Sequence, residues 1–227
     1  MRDNRRLEVI AVIVGAGLLA GGGAVAAFQE LNPFAAGGTT AASRFTALAQ
    51  SAFVPGPSLL AKRLLLDTCV EAIAGAHGRL QAPSDRRPVL EQCLEYADTI
   101  VGEAPSYALG WYVGALAAAE MDDVPGFNVR LRNAQITGPA ERWVAELRVR
   151  LVEEHMGDTT DDVRARHESD LRLLVASGRG IASIAERYVR DPAFRERIGA
   201  IVETMPEAEQ ARFVATVRSA ARDRITP

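Results

Sequence analysis

From Val9 to Phe28 the chain reads VIAVIVGAGLLAGGGAVAAF, twenty residues without a charged or strongly polar side chain. At about 1.5 Å of rise per residue such a helix is roughly 30 Å long, the thickness of a bilayer's hydrocarbon core. No other stretch approaches that length without charges. The chain therefore reads as a tail (1–6), a transmembrane helix (7–28) and a large part on the far side. Arg2, Arg5 and Arg6 precede the run, while the first charge after it is Glu30 and no basic residue follows until Arg44. Basic residues close to a span stay cytoplasmic. The expected arrangement is a single-pass protein of a bacterial inner membrane, amino terminus cytoplasmic and Gln29 onward periplasmic. The same features, with Ala24-Val25-Ala26, also describe a cleaved leader, which would leave a secreted soluble helical binding protein. The run exceeds the usual leader core of about 7–15 apolar residues, which favours retention.

Inside the span, Gly17 and Gly21 form a GxxxG, and Ala16, Ala20 and Ala24 repeat the spacing. Small residues four apart let helices approach closely in lipid. Gly17 and Gly21 are thus the candidate contact with a partner span or a second copy. A chain rich in Ala and Gly also generates this spacing without a partner.

Beyond the span lie 199 residues, enough for one large domain or two small ones. A formal net charge of −3 gives no reason to expect nucleic acid. Of 26 basic residues only Lys62 is lysine, a skew that fits GC-rich bacterial coding, so scattered arginines carry no special meaning. The two cysteines, Cys69 and Cys93, flank the turn Ala82-Pro83-Ser84-Asp85 almost symmetrically. On two antiparallel helices joined there they would meet, and an oxidising periplasm would allow a disulfide. Two buried free thiols are the alternative. Without a CxxC, redox catalysis is not indicated.

Residues 29–57 begin with QELNPFAAGGTTAAS, which reads as a flexible linker. A short helix over 44–53 precedes Pro55-Gly56-Pro57. Apolar residues then recur at three- and four-residue steps almost to the end. They predict helices from Ser58 to about Gly75, from Val89 to Gly102, from Tyr107 to Met121, from Phe127 to Ile136 and from Pro139 to Met156. After Gly157, Asp158 is a candidate cap for the next helix. Helices over 181–189 and 194–205 follow, and Thr204 to Glu207 has capping-box spacing for the last. No run alternates with period two, so the expected fold is all-α.

Pro105 and Pro139 are 34 residues apart, Trp111 follows the first by six, and Ala134 precedes the second by five. This pattern resembles a tetratricopeptide repeat, with Gly114 where that family has a leucine and Trp143 two positions early. The resemblance implies antiparallel helical hairpins stacked as a TPR-like superhelix over 58–156, with a separate helical subdomain over 157–227. It also implies a concave face that holds a peptide or protein, with Tyr107, Trp111, Tyr112, Arg130 and Asn133 as its candidate groove. Trp111 as a core residue is the alternative. The run from Ile136 to Trp143 is similar to segments of small bitopic proteobacterial proteins linked to polysaccharide or envelope systems.

No catalytic pattern is present: no GxSxG, SxxK, HExxH or Walker sequence. Glu153, Glu154, His155, His167 and Glu168 lack zinc-ligand spacing. No catalytic residue, cofactor or metal is expected. The expected function is a membrane-anchored periplasmic adaptor or accessory subunit of a cell-envelope assembly, with a protein partner. A cell-wall hydrolase is a further alternative, because paired carboxylates leave no local signature.

Overall fold

The computed structural model describes the backbone of residues 2–222 and the side chains from Ile10 onward. Among the described residues every regular element is helical. Arg2, Arg5 and Arg6, on which the orientation rests, lie outside the described side chains. The chain divides into two compact units, Met1–Tyr96 and Ala97–Pro227, with the division inside a helix.

The first unit holds α1 (Arg2–Ala35), α2 (Ala41–Ala49), α3 (Leu59–Ala74), α4 (Ala76–Arg79) and most of α5 (Pro83–Glu103). Ile10–Ala35 of α1 is long and apolar enough to cross a membrane, and none of its most apolar window is buried. A soluble fold would bury so apolar a helix. Leu18 and Leu19 are instead 73% and 80% exposed. This single amino-terminal helix fits a membrane anchor or a signal sequence.

The stretch from Gln29, expected as linker, is helical as far as Ala35 and passes through Pro33. Proline removes the N–H that would have bonded the Gln29 carbonyl. That carbonyl faces the chain near Gly56, where a Cβ would stand 3.0 Å from it and 2.6 Å from the Ala61 Cβ, so only glycine fits. Asn32 Oδ1 accepts from the Val54 amide at 2.6 Å. The Glu30 carboxylate accepts from the Ser58 amide at 2.7 Å and from the Ser58 hydroxyl at 2.6 Å. Ser58 Oγ in turn caps α3 by accepting from the Ala61 amide. Polar side chains thus hold residues 54–58 against the end of α1.

Helix α2 begins at Ala41, earlier than expected, because Thr40 and Ser43 form a reciprocal capping box. Arg44 ties it to α3 through two bonds to Glu71, at 2.8 and 2.9 Å. Cys69 of α3 and Cys93 of α5 are bonded, with their Cα atoms 5.7 Å apart and both residues fully buried. The Tyr96 hydroxyl donates to the Phe53 carbonyl at 2.8 Å.

The second unit continues from α5 with α6 (Ala108–Glu120), α7 (Val124–Thr137), α8 (Arg142–Glu154), α9 (Asp161–Val175), α10 (Gly178–Arg190), α11 (Pro192–Glu203) and α12 (Glu207–Arg222). Apart from Trp111 and Glu120, every residue of α6 is buried, as an all-round apolar helix must be. α6 packs on α7 across a short connection in which Asp122 takes a positive φ. α7 starts at Val124 rather than at Phe127. Asp123 accepts from the Gly126 amide, and Pro125 sits in the first turn, where a missing N–H costs nothing. Val149, Leu171, Leu174, Ile181, Ile184, Phe194, Ile198 and Phe213 lie in one core shared by the last five helices.

Two expected caps are filled otherwise. Asp158 lies in a 3₁₀ turn and α9 starts at Asp161 behind Thr160. Asn128 of α7 fastens that turn, donating to the Asp158 carbonyl at 2.7 Å and accepting from the Thr160 amide at 2.8 Å. Thr204 closes α11 in a helical conformation, its hydroxyl donating to the Ile201 carbonyl. A capping box needs an extended residue there, so none forms and α12 begins at Glu207.

Candidate functional site

Helix α8 presents Val144, Arg148, Leu151 and Val152 to the interior, and α9 presents Val163, His167, Asp170, Leu171 and Leu174. Charged and polar side chains therefore occupy core positions on two packed helices. Each must find a partner or cost several kcal/mol, roughly.

Arg148 is fully buried. Its guanidinium binds both oxygens of Asp170, at 2.8 and 2.5 Å, and donates to the carbonyls of Ala134 and Gly138 at 3.0 and 3.2 Å. One arginine thereby joins α8 to α9 and to the end of α7. Glu153 forms the second cluster: Oε1 lies 2.7 Å from His167 Nε2, and Oε2 meets the Arg197 guanidinium. Burial alone would raise the Glu153 pKa. The hydrogen bonds from His167 and Arg197 outweigh it and hold the carboxyl below the ordinary glutamate value. The other ring nitrogen of His167, Nδ1, is buried and makes no hydrogen bond.

Beside this cluster opens a cleft of about 360 Å³. Its apolar side is Met156, Leu171, Ala200 and Ile201, His167 contributes to its wall, and Arg164, Glu168, Arg172 and Arg197 complete it. The arginines are committed within the unit: Arg164 to Thr159, Arg172 to Thr204 and Arg197 to Glu153. The lining carries no serine, threonine or cysteine, hence no hydroxyl or thiol that a carboxylate-oriented imidazole would activate. The cleft suits an apolar group with a charged surround better than it suits covalent chemistry. A larger cleft, about 840 Å³, lies where α8 and α10 begin, with Trp143, Arg142, Glu146, Ser177 and Arg179 along it.

Of the His and Glu cluster considered for metal, Glu153 and His167 come together. His155 instead packs its ring against Phe127, tilted by 51° with the centroids 5.7 Å apart, and Glu154 lies 3.8 Å from Arg187. Among the described residues no three His, Cys, Asp or Glu are grouped so as to hold a metal ion. Of the groove residues, Tyr112 is buried in the core, and that burial raises its hydroxyl pKa. Trp111 is half-buried and donates its indole N–H to the Pro105 carbonyl at 2.7 Å. Arg130 crosses Gly114 to reach Asp98 at 2.9 Å, and a Cβ on Gly114 would come within 2.8 Å of its Cδ. Gly114 thus makes room for the arginine side chain. Tyr107 and Asn133 are half-buried. Nothing lies within 4 Å of where a Cβ would stand on Gly17 or Gly21.

Arg148, Asp170 and Arg197 are absent from the sequence-derived set. Arg148 and Asp170 left a signal: each falls in register with its helix's apolar residues, at 144, 148, 151 and at 163, 167, 170, 174. Charges of opposite sign at core positions of neighbouring helices mark a pair. No protein family, curated protein or solved structure matches this chain.

Proposed function

We propose that this chain is a single-pass inner-membrane protein whose helical units, on the periplasmic side, serve as an adaptor or accessory subunit of a cell-envelope assembly. The observation that carries the reading is the exposed apolar α1 running directly into a unit centred on the Cys69–Cys93 disulfide. Disulfides persist on the exported side of a membrane, which agrees with the orientation that Arg2, Arg5 and Arg6 favour. Within the second unit, Pro105 precedes the α6–α7 pair and Pro139 precedes α8, which packs on α9. That register supports a TPR-like arrangement of hairpins, whose usual work is holding a peptide or protein partner. Tyr107, Trp111, Arg130 and Asn133 remain the proposed partner-binding residues, and the span's Gly17 and Gly21 the proposed contact between membrane helices.

The test is gentle detergent extraction of the full chain with a carboxy-terminal tag, followed by mass spectrometry of what co-purifies. A stoichiometric membrane or periplasmic partner is the expected result. Recovery of the protein alone would remove the stable-subunit reading.

A further inference from the structure

We infer that the first unit rests on the bilayer surface through an apolar face formed by the end of α1 and the start of α3. The inference rests on the membrane-anchor reading and replaces a flexible stalk with a seated unit.

The length of α1 comes first. Ile10–Ala35 holds 26 residues, about 39 Å of helix, against roughly 30 Å of hydrocarbon. The last turns therefore lie in the headgroup zone while still helical. In those turns the helix has two unlike sides. Gln29, Glu30, Asn32 and Pro33 face the unit, with Pro33 buried and the others half-buried. Phe28, Leu31 and Phe34 recur at three-residue steps and are 62%, 63% and 56% exposed.

The carboxylate of Glu30 then fixes what stands beside that side. Its two bonds to Ser58 hold the start of α3 at the same level. The first residues of α3, Leu59 and Leu60, are 63% and 66% exposed, and neither belongs to the unit's buried core. Helical side chains lean toward the amino terminus of their helix, here toward α1. Five large apolar side chains thus flank the point where the chain leaves the membrane.

Charge completes the argument for lipid as occupant. The acid at the centre of this patch, Glu30, spends both oxygens on Ser58. Of the bases around it, Arg44 is paired with Glu71, Lys62 is buried, and Arg63 lies 3.5 Å from Asp67. A face that is apolar and without free cations enters the interface by burying apolar area, independently of anionic lipid.

The experiment uses the full chain reconstituted alone in phosphatidylcholine vesicles. Single variants Leu18→Cys and Leu60→Cys are labelled with an environment-sensitive fluorophore under non-reducing conditions. The buried Cys69–Cys93 bond stays intact, and both substituted positions are exposed. Nitroxide lipids quench either near the headgroups or deep in the acyl chains. The expected result is that the label at 60 loses more fluorescence to the shallow nitroxide, and the label at 18 to the deep one. A face in the interface sits about 5–10 Å into the headgroup boundary, which sets that order. Quenching at 18 with none at 60 overturns the seated unit and leaves the anchor standing. No quenching at either position overturns the anchor reading, and the inference with it.

Discussion

The two units hold their helices together by different means. The first is centred on a covalent bond, Cys69–Cys93, with hydrogen-bonded seams from Glu30, Asn32 and Arg44 closer to the surface. The second has no cysteine and buries charge instead: Arg148 with Asp170, and Glu153 with His167 and Arg197. Each strategy ties stability to a different property of the surroundings. The first unit answers to redox conditions, the second to protonation and to the loss of a single charged partner. The molecule offers separate readouts for them, because both tryptophans, Trp111 and Trp143, lie in the second unit. Their fluorescence follows that unit, whereas far-ultraviolet circular dichroism follows all the helices.

The largest expected effect breaks the buried pair. Arg148→Ala leaves Asp170 uncompensated in the core and should cost about 3–5 kcal/mol in fluorescence-detected denaturation. A double variant, Arg148→Met with Asp170→Leu, removes both charges and should recover most of that loss. If the single variant were harmless, the second unit would not depend on this pair.

Next comes the covalent staple. Cys69→Ser with Cys93→Ser opens a loop with a sequence separation of 24, and should lower stability by about 3 kcal/mol. Reduction of the wild type should reproduce the shift in dichroism. Tryptophan fluorescence should respond much less, and an equal response from both probes would merge the two regions into one cooperative block.

A smaller change sharpens the seam at α1. Gly56→Ala forces a Cβ to within 3.0 Å of the Gln29 carbonyl and 2.6 Å of Ala61, and should cost roughly 1–3 kcal/mol by overpacking. Dichroism-detected unfolding checks it, and no change would mean that residues 54–58 are not closely packed on α1.

The gentlest test is pH. The Glu153 carboxyl is held below its ordinary value of 4.5 in the folded chain, so the stability it contributes is present above that value. It is lost as pH falls from there through the folded-state value. Glu153→Gln should flatten the acid limb of the fluorescence-detected stability profile, and an unchanged limb would assign acid sensitivity to other groups.

What the sequence made legible follows from which forces act locally. The disulfide could be read from two cysteines on neighbouring helices, but the symmetric turn expected between them is absent. α5 already begins at Pro83, α4 occupies the connection, and Cys69 lies five residues before the end of α3 whereas Cys93 lies ten after the start of α5. The exposed apolar α1 and the all-helical character could be read because twenty apolar residues and a three-to-four period admit few alternatives. The continuation of α1 through Pro33 could not. Composition there signals a linker, and the helix persists because Asn32 and Glu30 find partners on a segment more than twenty residues away. Thr204 misleads for a similar reason, since its spacing suits a cap for α12 while its hydroxyl serves the end of α11. The Glu153–His167–Arg197 cluster joins three helices, and only the packing of α8, α9 and α11 reveals it. The division of the chain inside α5 is marked by no change in composition at all.

The central claim is that α1 stays in the membrane with everything after it on the exported side. The most direct measurement is intact mass, combined with protease access to a carboxy-terminal tag on spheroplasts of a Gram-negative host. The expected result is a full-length mass from carbonate-washed membranes and a tag digested from outside. A mass lacking the residues before Gln29, or a tag protected until the membrane is opened, would contradict the account.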